Sequence, residues 1–159
     1  MDDRYRPPSD FLQDVIDDKV PLSDAEHGEA NLHRLIEMMR DEHWANRDWA
    51  TFLLAQQDIN TPESRAALLA AADDENESVR SEAILGLAQR DKSVALPLLQ
   101  RELAGEFVQM PIFEAAALVA DASLVEDLRS FASPSGDDYL DELALDALKA
   151  CETGKPTPT

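Results

Sequence analysis

Apolar positions recur along most of this chain at helical spacing. Between Asp74 and Leu103, Val79, Ala83, Ile84 and Leu87 fall at i, i+4, i+5 and i+8, and Leu96, Leu99 and Leu103 form a second stripe. Arg90-Asp91-Lys92 lies between the stripes and predicts a tight turn. Neither helix buries its stripe alone, so the pair needs a neighbouring pair.

The same reading extends in both directions. Residues 1–8 carry charges, two prolines and no period, which predicts a mobile arm. Phe11, Leu12, Val15 and Ile16 predict a short amphipathic helix that ends near Asp17-Asp18, and Pro21 then breaks the chain. Ser23-Asp24-Ala25-Glu26 has capping-box spacing ahead of a helix bearing Leu32, Leu35, Ile36 and Met39. Gly28 weakens its first turns and points to a later start. Thr61-Pro62-Glu63 reads as N-cap, first-position proline and first-turn acid for a helix through Leu68, Leu69 and Ala72. Pro97 is expected in the first turn of its helix, since deeper inside it costs about 3 kcal/mol. Ser123-Leu124-Val125-Glu126 predicts another capping box, opening a helix with Leu128 and Phe131. A last helix is expected from Tyr139 to about Cys151, with Ala144, Leu145 and Leu148 on its apolar side, and residues 153–159 as a mobile tail.

One segment repeats another. Asp41 and Asp74, like Arg47 and Arg80, lie 33 residues apart, and Ala50/Ala83, Leu54/Leu87, Ala55/Ala88 and Gln56/Gln89 agree in the same register. A third, weaker copy sets Ala115 over Ala83 and Val119 over Leu87, a register of 32. A period near 33 with two helices per unit predicts an all-α solenoid of about four helix pairs, one domain over residues 9–152.

Composition narrows the function. Fourteen basic residues against 33 acidic ones give a net charge of −19. A phosphate backbone is bound by neutralising it, so nucleic acid and anionic membrane are not expected partners. No apolar run approaches the roughly 20 residues of a membrane span, and the first residues lack the apolar core of a signal peptide. A single cysteine, Cys151, cannot form an internal disulfide, which points to the cytoplasm.

The motif Asp-x5-Val-Arg-x2-Ala-x3-Leu, from Asp74 to Leu87, resembles the HEAT repeat, in particular the bacterial phycobilisome-lyase-like form. The resemblance spans roughly residues 29–151 and implies a right-handed α-α superhelix with the second helices on the concave side. Pro111-Ile112 stands at the Val-Arg position of the third copy, so an Asp–Arg ladder is expected to stop there. The scaffold is shared by binding proteins, chaperones and a few enzymes.

The enzymatic branches of that family leave little trace. Di-iron hydroxylases of HEAT type use repeated His-Glu pairs, whereas this chain has one reversed pair, Glu42-His43. Glu29, His33 and Glu37 share a helix face, but a straight helix spreads them over about 12 Å, too far for one ion to hold all three. Cys151 ends the last helix, where the helix dipole disfavours a thiolate, so it is expected to pack. No cofactor is expected. The concave helices carry Arg101 and Arg129 among acids, a mixed face unsuited to DNA.

Asp41, Arg47, Asp74 and Arg80 repeat with the architecture and are expected to serve it, each Arg binding turn carbonyls or an Asp of its own or the next unit. Trp44 aligns with Glu77, and Trp49 with Glu82 and Glu114. Such aromatics are either protein-binding anchors or ground covered by the Phe11–Ile16 helix acting as an end cap. The expectation is therefore a non-catalytic protein-binding scaffold, with Trp44, Trp49, Arg101 and Arg129 as candidate contacts. An acidic inhibitor or immunity partner of a basic toxin or nuclease is the alternative, and a bilin-lyase-like or metal-dependent enzyme the third reading.

Overall fold

The computed structural model describes residues 5–24 and 26–157. Among these the chain is all-helical: α1 (Asp10–Ile16), α2 (Gly28–Met38), α3 (Trp44–Gln56), α4 (Pro62–Ala71), α5 (Glu77–Arg90), α6 (Lys92–Leu103), α7 (Met110–Val119), a 3-10 turn (Ala122–Leu124) leading into α8 (Val125–Arg129), and α9 (Asp138–Thr153). The helices form a short HEAT-like solenoid. The first helices α3, α5, α7 and α9 lie side by side in one layer, and the second helices sit in the seams, α4 against α5 and α6 between α5 and α7.

Small residues set the close spacing of the first layer. Ala50, Ala83, Ala115, Ala116, Ala144 and Ala147 are all buried. At Gly86 an added Cβ would stand 3.0 Å from the Ala55 Cβ and 3.1 Å from the Leu68 Cδ2, so α3 and α4 approach the α5 backbone itself. Leu54, Leu68, Ile84, Leu99, Leu103, Phe113 and Leu128 fill the space between layers in one continuous core. Burying one such side chain fully is worth about 1.5–3 kcal/mol.

Several local expectations are corrected. Asp24, not Ser23, opens the approach to α2: its Oδ1 accepts from the backbone N–H of Glu26, His27 and Gly28. An ionised oxygen aimed at three free donors outcompetes a hydroxyl. Helix α2 begins at Gly28 itself, and the position calls for glycine because a Cβ there would meet the Ser23 backbone at 2.9 Å. Asp121 similarly replaces Ser123 as cap, accepting from the Ser123 N–H at 2.8 Å, and the helix beyond is only a 3-10 turn and α8. Pro97 is the sixth residue of α6 rather than in its first turn. Both Pro97 and Ser93, whose carbonyl loses its helical donor, are exposed, so water can serve that carbonyl. Leu145 is exposed, and Ala147 and Ala150 take the buried side of α9 with Ala144.

Hydrogen bonds reach the described residues near both ends. Residues 1–4 and 158–159 lie outside the described residues, and so does that part of the expected arm and tail. Ser9 caps α1 and its own N–H donates to Asn46 Oδ1 at 3.0 Å, tying α1 to the start of α3. The Pro7 carbonyl accepts from Gln13 Nε2 at 2.9 Å. At the other end the Thr157 N–H donates to the Ala117 carbonyl on α7 at 3.1 Å.

Candidate functional site

The repeated Asp and Arg residues build the corners of the solenoid. Arg47 donates from Nη1 to the Asp41 and Glu42 carbonyls of its own turn, at 3.1 and 3.2 Å. Its Nε and Nη2 hold both oxygens of Asp74 in the next unit, at 2.8 and 3.0 Å. Burial pushes the Asp74 carboxyl up, but this fork and the Asn76 N–H together bring it below the usual range. Asp41 accepts from the His43 N–H and from Asn46 Nδ2, so the acid also shapes the turn into α3. Arg80 repeats the carbonyl contacts, to Asp74 and Glu75, but its fork meets Glu102 on α6 at 3.1 and 3.4 Å. The third unit carries Ile112 where Arg80 stands in the second, so the arginine corner is not repeated there.

Sequence reasoning missed Arg90. All five of its N–H groups are used, on the carbonyls of Leu54, Ala55, Gln57, Ile59 and Gly86, at 2.7–3.3 Å. It closes the free C-terminal end of α3 from the neighbouring unit. Its register partner in the preceding unit is Gln57, so the repeat pattern gave no hint of it.

The two tryptophans part ways. Trp44 is 44% exposed, whereas Trp49 is half-buried beside the α1–α2 connection. Trp49, Phe52 and Leu53 share a hollow of about 510 Å³ with Val15, Ile16 and Leu22. The α1 helix and its following loop thus shelter Trp49. Tyr5 is the link that was not foreseen: its ring stacks on Trp44 at 5.6 Å and 13°, and on Trp49 at 5.9 Å and 26°. His43 stacks on the other indole neighbour, Trp44, and Phe52 meets Trp49 edge-on, so five rings run along the start of α3.

A row of half-buried carboxylates lies in the same layer. Glu82, the register equivalent of Trp49, is pushed up to about 7 by burial, with the charges of Asp48 and Glu114 adding to it. Burial raises Asp48 and Glu114 as well. Burial and the nearby Asp48 charge push the Tyr5 phenol up to about 12.

The candidate arginines are both engaged. Arg101 on α6 donates to Asp73 Oδ1 at 2.7 Å and to the Ala72 carbonyl at 2.6 Å, and Arg129 on α8 lies near Glu126 and Glu152 at 3.5 and 3.7 Å. His33 lies 2.8 Å from Glu63 of α4 and 3.9 Å from Glu29. No cluster of three or more His, Cys, Asp or Glu side chains with metal-binding geometry occurs among the described residues. His43 is an N-cap, its Nδ1 accepting from the Ala45 N–H. Cys151 is buried, its thiol pushed up to about 11 by that burial, and its Sγ donates to the Ala116 carbonyl at 3.5 Å. No described helix is long and apolar enough to cross a membrane.

Among the described residues, the third unit carries the most exposed large apolar side chain. Phe107 is 87% exposed in the turn into α7. In the third-unit register it stands where the preceding units place the exposed acids Glu75 and Glu42. Beside it a hollow of about 220 Å³ is lined by Val108, Phe113, Phe131 and Leu140, with Glu106 and Asp141 among its acids. Met110, the first residue of α7, and Tyr139 of α9 are also exposed.

Helix pairs stacked through alanine-rich first helices, with arginine corners recurring at the repeat period, define an α-solenoid repeat protein. Residues 32–110 match the family model for HEAT repeats, and this stretch belongs to the HEAT-repeat family. The chain is similar to Protein YibA of Escherichia coli strain K12, with 30% identity over 139 residues, 87% of this chain and 46% of the relative. Protein YibA of the O157:H7 strain matches to the same extent. The X-ray structure of E. coli YibA superposes with a TM-score of 0.60 at 30% identity, covering 79% of this chain and 46% of that one. The chain therefore spans about half the length of the relatives it matches.

Proposed function

We propose that this repeat scaffold is a non-catalytic protein-binding module that recruits its partner through the third unit. Phe107 carries the reading. A phenylalanine held in water at a position where sister units place glutamates has no packing role in the fold, and exposed aromatics beside an apolar hollow are typical binding anchors. Glu106 and Asp141 at the rim, with the net charge of −19, favour a partner that brings basic residues around an apolar anchor.

The test is affinity capture from native extract with quantified partner recovery. Phe107→Asp is expected to lower recovery of the retained protein at least tenfold, while Glu75→Ala leaves it unchanged. Equal recovery with Phe107→Asp would contradict the reading.

The half-buried row Asp48, Glu82 and Glu114 favours a second reading, an acidic inhibitor of a basic toxin or nuclease. Three acids in one layer, within a chain of net charge −19, present a surface complementary to a basic partner. In that case capture is lost as salt rises from about 0.05 to 0.3 M, and Asp48→Asn weakens it more than Phe107→Asp does.

A further inference from the structure

The aromatic row at the start of α3 has an unusual member. Four of its rings, His43, Trp44, Trp49 and Phe52, belong to α3 or its cap, and the fifth, Tyr5, comes from before α1. Tyr5 is 46% exposed, so it is not a core residue, yet its ring is nearly parallel to both indoles. The place it occupies is walled by two indole faces. The chain behind it is anchored, with Pro7 buried and accepting from Gln13 and the Ser9 N–H donating to Asn46, whereas Arg6 lies 3.5 Å from Asp17 in an exposed pair worth little.

An acidic group stands beside that place. Asp48, one residue before Trp49, is close enough for its charge to act on Tyr5, and Glu82 on the neighbouring helix feels Asp48 in turn. None of Asp48, Glu82 and Glu114 accepts a hydrogen bond or pairs with a cation among the described residues. Flat π faces beside a desolvated carboxylate suit a planar cation. A guanidinium can stack on indole while its edge N–H groups reach a carboxylate, whereas an ammonium cannot do both equally well.

We propose that Tyr5 is an internal latch occupying a site whose walls, Trp44 and Trp49, and whose neighbouring acid, Asp48, fit an arginine side chain of a basic protein partner. The occupant is fixed by charge complementarity. The source of the arginine follows from the protein-binding reading, but the site is distinct from Phe107, and each can fail alone. A latch that fills its own site lowers apparent affinity by the fraction of time it is closed.

The experiment uses the full chain and the blocked tripeptides acetyl-Gly-Arg-Gly-amide, its Lys counterpart and its Glu counterpart. Binding is followed at low salt through the indole N–H resonances of Trp44 and Trp49. Tyr5→Ala is expected to bind the Arg peptide at least tenfold more tightly than the unaltered chain, to prefer it severalfold over Lys, and not to bind Glu. Adding Trp44→Ala to Tyr5→Ala should abolish that gain. Far-UV circular dichroism checks that both variants keep the helical fold, as the exposure of Tyr5 and Trp44 leads us to expect. Affinity for the Arg peptide unchanged by Tyr5→Ala, a gain that survives Trp44→Ala, or equal binding of the Glu peptide would each overturn the proposal. No captured partner is needed, so the result stands whatever the Phe107 test returns.

Discussion

The two seams between successive repeats are closed by different chemistry. Between the first and second units, Arg47 grips Asp74 with a two-pronged bond, both side chains only 11% exposed, and Arg90 saturates carbonyls at the end of α3. Between the second and third units, Arg80 stays within its own unit on Glu102. The polar links across that seam are neutral or exposed: Gln109 Nε2 to Glu77 at 3.0 Å and Gln100 Nε2 to Ser123 Oγ at 3.0 Å. Alanines and Phe113 do the rest. A seam that needs no charged corner leaves its turn residues free for other uses, and this is where Phe107 stands in water. Architecture recurs where the corner chemistry recurs, and where it lapses the turn into α7 presents Phe107 instead.

The largest way to break the comparison is Arg90→Ala. Removing a charge-assisted donor set that serves five carbonyls leaves the end of α3 unsatisfied, and about 3 kcal/mol of stability should go. Urea unfolding would show it as a fall in midpoint at nearly unchanged slope. No loss, or a loss under about 1 kcal/mol, would mean that water replaces the arginine without penalty.

Next comes pH. The Glu82 carboxyl titrates near 7 in the folded chain, above its ordinary 4.5, so the folded state holds that proton more tightly than the unfolded one. Its favourable contribution is complete below about pH 4.5 and disappears as pH rises through about 7. Asp74 works in the opposite sense: with its folded value depressed, the Arg47–Asp74 corner contributes above the ordinary carboxylate range and fades as pH falls. Glu82→Gln should therefore stabilise the protein at pH 8, by about 1–3 kcal/mol, and have little effect at pH 4. Thermal melts at the two pH values check this, and equal shifts at both would contradict it.

The smallest effect is expected across the second seam. Gln109→Ala removes one exposed hydrogen bond and should cost under about 0.5 kcal/mol, close to the limit of denaturation measurements. A cost similar to that of Arg90→Ala would erase the distinction between the seams.

The solenoid was legible in the sequence, because a 33-residue register carries both the apolar stripes and the corner residues. Features that break the register were not. Arg90 has no counterpart in the first unit, and its acceptors lie on a different helix. Ser23 and Ser123 satisfied the capping pattern, but an aspartate within two residues of each offered a charged acceptor to the same donors. The tryptophans stood out as departures, yet their real neighbour, Tyr5, sat in a segment without any period. Phe107 departs from the acidic positions Glu42 and Glu75, but its exposure follows from how the turn into α7 is folded.

The most direct test is a photo-crosslinking amino acid placed at position 107, with position 75 as control, in the full chain within its native cells. A partner-binding third unit predicts one dominant crosslinked protein from position 107 and little from position 75. Equal yields at the two positions, or none from position 107, would contradict it.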